Sequence, residues 1–413
     1  MKLPIYKIIL FLIIVMAISD AMNLYLKQYG FNYSYISASL FARGVILVLF
    51  ASVLLRNKTA LIYITITILF IGMYVLGSFV LAENNLSNVN YYRNVVVIIK
   101  MMYIFFIYIL IYKYFTDESK TRKLFKIYEI IVLVYSVVSI ASFIFNLTFF
   151  QAYTSGPRFG IRALMTAVNE LSGFFVLAVF YFLNKAFISE RKLQNYIALS
   201  LVVIGALLTG TKACVVFISI GLIAYFLRYI RLSAKRLFAA VFVLAILVGG
   251  AYSARDRLSE SFHSTRQYFE VQHRNRIKIY EQSNPIGRYF SLIVSGRDIK
   301  VNKFIENVKP NWTFVNYLIG GWNYSRNTME MDFADLFGMV GILGTLIYTR
   351  MYLFILFRNG KWKHYYAIVP LVSWLAISFF GGHLLFSAIN STYLVIFLKQ
   401  CDFIKSKSNG AAA

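Results

Sequence analysis

Charge is scarce in this chain, and carboxylates are the scarcest of it. Its 413 residues carry 17 acidic side chains against 42 basic ones, and both signs together make up only 14%. A soluble domain holds about a quarter charged residues. A chain that is 59% hydrophobic and 18% aromatic, with a mean hydropathy of +0.66, is instead one dissolved in lipid. Cysteine is nearly absent: Cys214 and Cys401 sit in or beside apolar segments far apart in sequence, which excludes a disulfide framework. Four histidines with no His/Cys cluster argue against a bound transition metal, and nothing in the composition calls for another cofactor. No internal repeat is visible, so an inverted-repeat transporter is not indicated. The formal charge of +25 raises nucleic acid as a partner, but the placement of that charge sets it aside.

What the chain has in quantity is apolar runs, each near the ~20 residues that cross about 30 Å of hydrocarbon. Twelve are read, at 6–25, 34–55, 60–82, 94–114, 126–146, 169–188, 195–210, 213–230, 236–252, 333–356, 365–382 and 384–399. The fold class expected is an all-α polytopic membrane protein. Nine spans fill 1–252, a long external loop covers 253–329, and three more spans fill 330–400. A tail at 401–413 follows, and its final GAAA carries no argument. The runs are too long and too closely spaced for a β-barrel. Alternate short links are basic: Arg56 and Lys58; Lys120, Arg122, Lys123 and Lys126; Arg191 and Lys192; Arg228, Arg231, Lys235 and Arg236; Arg358, Lys361 and Lys363. With Lys2, Lys7, Lys405 and Lys407 at the ends, these links are expected on the cytoplasmic side together with both termini. The external loop opens on SARDRLSESFHSTRQYFEVQHRNRIKIYEQSN, whose spacing fits a helix capping the bundle or lying on the membrane. Beyond Ser295-Gly296 a short helix is expected, with Asp298 in its first turn.

Charges at membrane depth carry more information, because a central Arg or Lys costs about 2.5–3.5 kcal/mol. Arg43 falls in the second span, Lys100 in the fourth and Arg350 in the tenth. Arg43 and Lys100 read as structural groups, paired with buried polar partners. At the external boundary stand Arg158 and Arg162 in SGPRFGIRALMTAVNELSG, Lys212 in LLTGTKACVV, and Arg297 and Arg326 in the long loop. For a single one of these, snorkelling or pairing with an acid such as Glu170 is the blander explanation. For Arg158, Arg162, Lys212 and Arg297 as a set, a site for a lipid-linked phosphate or pyrophosphate fits better, since guanidinium groups fork onto phosphate oxygens.

Against that poverty of acids, TMEMDFADLFGMVGILG gathers Glu330, Asp332 and Asp335 at the mouth of an apolar run. Capping a helix N-terminus explains one or two of them, at about 0.3–1 kcal/mol each. Three acids facing a cationic set suggest more. One carboxylate can orient or deprotonate a sugar hydroxyl while another grips sugar hydroxyls. Positive groups for a departing pyrophosphate and an acid for an acceptor hydroxyl describe glycosyl transfer from a polyprenyl donor.

RFGIRALMTAVNELSGFF, LLTGTKACVVF, SGRDIKVNKFI and TMEMDFADLFGMVGILG occur in that order over the latter two-thirds of the chain. In this the chain resembles the bacterial oligosaccharide repeat-unit polymerases of the Wzy type, within the superfamily that includes the O-antigen ligases. The resemblance implies a metal-independent, C-type-like glycosyltransferase of the bacterial inner membrane with its active site facing the periplasm. It would move a growing O-antigen, capsule or other glycan from undecaprenyl pyrophosphate onto a hydroxyl of an incoming lipid-linked repeat unit. Carried over to this chain, pyrophosphate falls to Arg158 and Arg297 with Arg162 or Lys212 assisting, and Arg326 and Asp335 join the substrate contacts. Glu330 is first choice for acceptor activation and Asp332 second. A chain-length regulator and a flippase are the implied protein partners. The ligase branch has a His-Asn pair before the span that follows the long loop, where this chain reads SRNTMEMDF without histidine. The ligase, a lipid-linked oligosaccharide flippase and a non-enzymatic scaffold stand as the rivals.

Overall fold

The computed structural model describes residues 4–28, 38–54, 57–83, 91–152, 160–165, 167–189, 192–229, 297–324 and 328–410. The expected span at 236–252, the capping helix at the start of the long loop, Arg158 and Arg326 lie outside the described residues. Before the long undescribed segment come α1 (Ile5–Gln28), α2 (Ala38–Leu54), α3 (Lys58–Glu83), α4 (Tyr91–Tyr114), α5 (Glu118–Ile144), α6 (Val168–Asn184), α7 (Leu193–Leu207) and α8 (Lys212–Tyr229). After it come α9 (Arg297–Asn311), α10 (Phe314–Ile319), α11 (Asp332–Phe357), α12 (Tyr365–Gly381) and α13 (Ala388–Gly410). Among the described residues the one β feature is an antiparallel bridge between Gln151 and Ile161.

Each apolar run of the sequence that falls among the described residues carries a helix. Among the described residues six stretches are long and apolar enough to cross a membrane: Ile5–Leu26, Lys58–Leu81, Tyr91–Tyr114, Glu118–Ile144, Val168–Ile188 and Asp332–Lys363. The protein is an all-α membrane protein, and its surface agrees. Phe11, Val48, Phe79 and Leu346 stand outward with 62–69% of their surface open. In water that exposure costs about 25 cal/mol per Å², a cost absent in hydrocarbon. A helix apolar on all sides belongs in the middle. Accordingly Met101–Ile111 of α4, Leu171–Asn184 of α6 and residues 388–398 of α13 are buried without interruption.

The two ends of the bundle differ in chemistry. At one, Lys361 Nζ lies 2.9 Å from Asp402 Oδ2 and Lys407 Nζ 3.7 Å from Glu118 Oε1. These join the end of α11, the end of α13 and the start of α5 among the basic links. At the other end the starts of α4, α6, α11 and α13 meet. There Asn94 Nδ2 donates to Asn323 Oδ1 at 2.9 Å, and Asn390 Nδ2 to the Glu170 carbonyl at 3.0 Å.

Non-helical backbone is built into this second end. Gly341 breaks α11 with φ 64° and ψ −169°. The break frees the carbonyls of Gly338 and Met339, which accept the N–H groups of Trp322 (2.9 Å) and Gly321 (3.0 Å) instead. Buried peptide groups are thus satisfied where no water competes, as a membrane protein requires. The link 320–322 sits so close to α3 that a Cβ at Gly77 would lie 2.3 Å from the Gly320 carbonyl oxygen. Asn316 clamps both, its Nδ2 donating to the carbonyls of Gly77 (2.9 Å) and Gly320 (3.0 Å).

Gly77→Ala is expected to lower thermal stability in detergent by about 1–3 kcal/mol, the usual cost of overpacking. Gly72, about a turn and a half earlier on α3, has open space around it. Gly72→Ala is expected to raise stability by about 0.5–1 kcal/mol, and paired melting curves of the two variants check the contrast.

Candidate functional site

The site grows from the first turn of α9. The helix expected beyond Ser295-Gly296 begins at Arg297, and Arg297 and Lys300, three apart, share a face. Both reach the same carboxylate. Arg297 Nε lies 3.8 Å from Glu330 Oε2, and Lys300 Nζ donates to Glu330 Oε1. Arg297 also donates through Nη1 to the Phe380 carbonyl at 3.0 Å, tying α9 to the end of α12.

Glu330 is placed by its backbone. Its φ of 58° lies in the left-handed region, unusual for a residue with a side chain. Thr328 Oγ1 accepts its N–H at 3.1 Å. Its carbonyl is pressed against Gly382, where a Cβ would approach the oxygen to 2.2 Å, so only glycine fits opposite. His383 follows, also at positive φ (69°), with Nδ1 3.3 Å from the Tyr324 hydroxyl.

Asp332 and Asp335, expected to act as a second acid and a sugar grip, are spent elsewhere. Asp332 is fully buried, and its carboxylate accepts the backbone N–H groups of His383, Leu384 (2.8 Å) and Leu385 (2.9 Å). Asp335 accepts the Met329 N–H at 2.7 Å and the Thr328 hydroxyl at 3.1 Å. Two acids that resembled chemistry in the sequence hold the third one, and His383, in position. The sequence-predicted span at 384–399 begins late for the same reason. Residues 382–387 form a turn around the Asp332 carboxylate, and α13 starts at Ala388.

The other cationic candidates stand on two neighbouring links. Arg162 donates through Nη2 to the Phe149 carbonyl at 3.1 Å. Its segment meets the α7–α8 turn, where Ile161 N–H donates to the Leu208 carbonyl at 2.9 Å. Lys212 opens α8 beside Thr211, whose hydroxyl lies 2.8 Å from that of Ser172 on α6. Both belong to the same end of the bundle as Glu170. Arg43, expected to pair with a buried polar group, lies 3.8 Å from Asp20.

Sequence reasoning missed Lys300 and His383. Lys300 had a signal: Arg-x-x-Lys at the start of a helix puts two cations on one face. His383, in GGHLLF between two apolar runs, was marked only by its paired glycines.

Electrostatics assigns protonation states. Burial opposes the charged form of Glu330, yet the hydrogen bond and charge of Lys300, with His383 and Arg297 behind it, hold the carboxyl below the ordinary range. Burial holds His383 below its ordinary range too, and Arg297 and Lys300 add to this against the pull of Glu330. At neutral pH the site presents a carboxylate, two cations and an uncharged imidazole. A paired carboxylate is a weak base; a neutral imidazole in reach is a better one.

No protein-family model matches the chain, and no curated protein matches it.

Both depressed groups make stability fall with acid. The contribution of neutral His383 is full above the unfolded histidine value of about 6.5 and is lost as pH falls through its lower folded value. That of Glu330 is full above about 4.3 and is lost below it in the same way. Melting temperature is expected to decline from about pH 6.5 downward, and His383→Gln to flatten the upper part of that limb. Asp332→Asn, which leaves one oxygen for three N–H groups, is expected to destabilise by about 1–3 kcal/mol in the same assay.

Proposed function

We propose that this chain is a polytopic glycosyltransferase of about twelve spans that polymerises lipid-linked oligosaccharide repeat units. It would stand in a bacterial inner membrane with both termini and the basic links in the cytoplasm, and with Glu330 and its partners facing the periplasm. The observation that carries the reading is the convergence of Arg297, Lys300, Glu330 and His383 at one end of an apolar bundle, opposite the basic links. Such an end is reached by a substrate whose diphosphate lies at the membrane boundary and whose chain lies in lipid. The order of motifs resembling the Wzy-type polymerases points to undecaprenyl pyrophosphate as that carrier, with a flippase supplying units and a chain-length regulator beside it.

In the reaction an acceptor hydroxyl oxygen attacks the anomeric carbon of the growing glycan. The bond from that carbon to the diphosphate oxygen breaks with inversion, and the electron pair leaves on the diphosphate. Arg297 and Lys300 stabilise that departing charge, a preorganised electrostatic role. They are held on Glu330 in the free protein, and a diphosphate that draws them away frees the carboxylate. The hydroxyl proton passes to Nε2 of His383 in the tautomer that carries its own proton on Nδ1, 3.3 Å from the Tyr324 hydroxyl, and the unmasked charge of Glu330 steadies the resulting imidazolium. Arg162 and Lys212 would serve the second lipid-linked chain from the neighbouring links.

Reconstitution with lipid-linked repeat units is the test. Arg297→Ala, Lys300→Ala and His383→Gln are each expected to lower polymer formation by about 10²–10⁴-fold, with the folded protein retained. Glu330→Gln is expected to fall in the same range. Undiminished polymer in all four discards the assignment, and movement of the lipid-linked unit between leaflets without new glycosidic bonds favours a flippase.

A further inference from the structure

A second polar cluster lies deeper in the same end of the bundle, and the reaction above makes no use of it. Asp20 comes from α1, Arg43 from α2, Lys100 from α4, Glu170 from the first turn of α6, and Ser387 and Asn390 from the start of α13. Lys100 is nine residues beyond Tyr91, about 13 Å down its helix at 1.5 Å per residue. The charges of Arg43 and Lys100 act on Glu170, and those of Arg43, Glu170 and Lys100 act on Asp20. Asn390 joins the cluster through Nδ2, which donates to the Glu170 carbonyl at 3.0 Å, and Ser387 bonds the Glu170 side chain.

These groups do not satisfy one another. Asp20 and Arg43 stand 3.8 Å apart, beyond hydrogen-bond distance. Arg43 Nε and Asn390 Oδ1 are buried without a hydrogen-bond partner among the described residues, although Asn390 is 0% exposed. A buried donor and a buried acceptor left open in one cluster call for something that both donates and accepts. Charge narrows the choice. Two basic and two acidic side chains interleave here, so a free ion of either sign meets a group of its own kind beside an opposite one. A hydroxyl does not: it donates to Asn390 Oδ1 or a carboxylate and accepts from Arg43 Nε or Lys100. Adjacent hydroxyls on one ring do both at once.

We propose that Asp20, Arg43, Lys100, Glu170 and Asn390 form a seat for the hydroxyls of an uncharged sugar, separate from the Arg297–Lys300–Glu330 site. That the sugar belongs to a lipid-linked glycan rests on the glycosyl-transfer reading; the seat itself does not. Position favours that occupant. The Glu170 charge also reaches Tyr324, the hydroxyl beside His383, so the seat adjoins the place where an acceptor would be activated.

The test uses the full chain in lipid nanodiscs with two pairs of probes. The first pair is dodecyl maltoside and dodecyl octaethylene glycol ether below their micelle concentrations, compared by thermal melting. The second is undecaprenyl diphosphate with and without N-acetylglucosamine, compared by binding. The maltoside is expected to raise the melting temperature above its sugar-free counterpart, and the sugar-bearing lipid to bind at least tenfold tighter than the bare diphosphate. Lys100→Met and Asn390→Ala are expected to erase both differences and to leave affinity for bare undecaprenyl diphosphate within twofold. Arg297→Ala is expected to weaken both lipids alike. If Lys100→Met does not fold, Lys100→Gln and Asn390→Ala decide. Folded variants that keep the wild-type response to sugar overturn the seat and leave its five residues as polar groups of helix packing. A maltoside response lost in the variants while neither undecaprenyl lipid binds the wild type supports the seat and removes the glycosyl-transfer reading instead.

Discussion

One carboxylate holds the functional end together. Asp332 opens α11 and takes three successive N–H groups from the turn between α12 and α13. Backbone donors at the head of a turn are the groups most exposed to loss in a lipid environment, since no water replaces a missing partner. By meeting them with a charge, the chain fixes the start of α11 against the start of α13. It also fixes the residues on either side of that joint, Glu330 two positions before Asp332 and His383 at the joint itself. The positive φ of both residues is tolerated because this packing leaves no alternative.

A second constraint works through absence of side chains. Gly320, Gly321 and Gly341 carry positive φ, and each would clash with backbone if it bore a Cβ. Their close approach inserts the stretch leading from α10 to Glu330 between α3 and α11. The broken α11 supplies the carbonyls that this inserted stretch needs, and the inserted stretch supplies the donors that the break leaves wanting. The site therefore rests on irregular backbone in which the carbonyls of Gly338 and Met339, freed by the break, are met by the N–H groups of Trp322 and Gly321.

The helices were legible because burial in lipid writes itself as length and apolarity, and the start of α11 near Asp332 and of α9 beyond Gly296 followed from local signals. Scarce acid facing clustered base placed Arg297 and Glu330 in one expected site, but as groups across a cleft; their direct approach to each other was not legible. The roles of Asp332 and Asp335 were not. A carboxylate before an apolar run looks the same whether it faces a substrate or a ring of peptide N–H groups more than 50 positions away in sequence. His383 escaped for a related reason. Its meaning depends on the Gly382 turn and on Tyr324 and Glu330 arriving from a distant loop, and no local pattern in GGHLLF encodes that meeting.

The scarcity of acids follows from what each one does here. A carboxylate in hydrocarbon is costly unless it is paired or hydrogen-bonded, so a chain of this kind retains few. Asp332 and Asp335 hold backbone, Asp402 and Glu118 anchor the basic end, and Asp20 and Glu170 stand within reach of the charges of Arg43 and Lys100. Glu330 differs from these in being half-open and shared between two cations. An ion pair at a boundary is the arrangement most easily exchanged, because an incoming anion replaces the carboxylate with little new desolvation. On the reading proposed above, a diphosphate, with more charge and more acceptor oxygens than one carboxylate, would win that exchange. Its arrival would release a base-stabilising charge next to an uncharged imidazole, so that binding of the leaving group and activation of the acceptor would become one event.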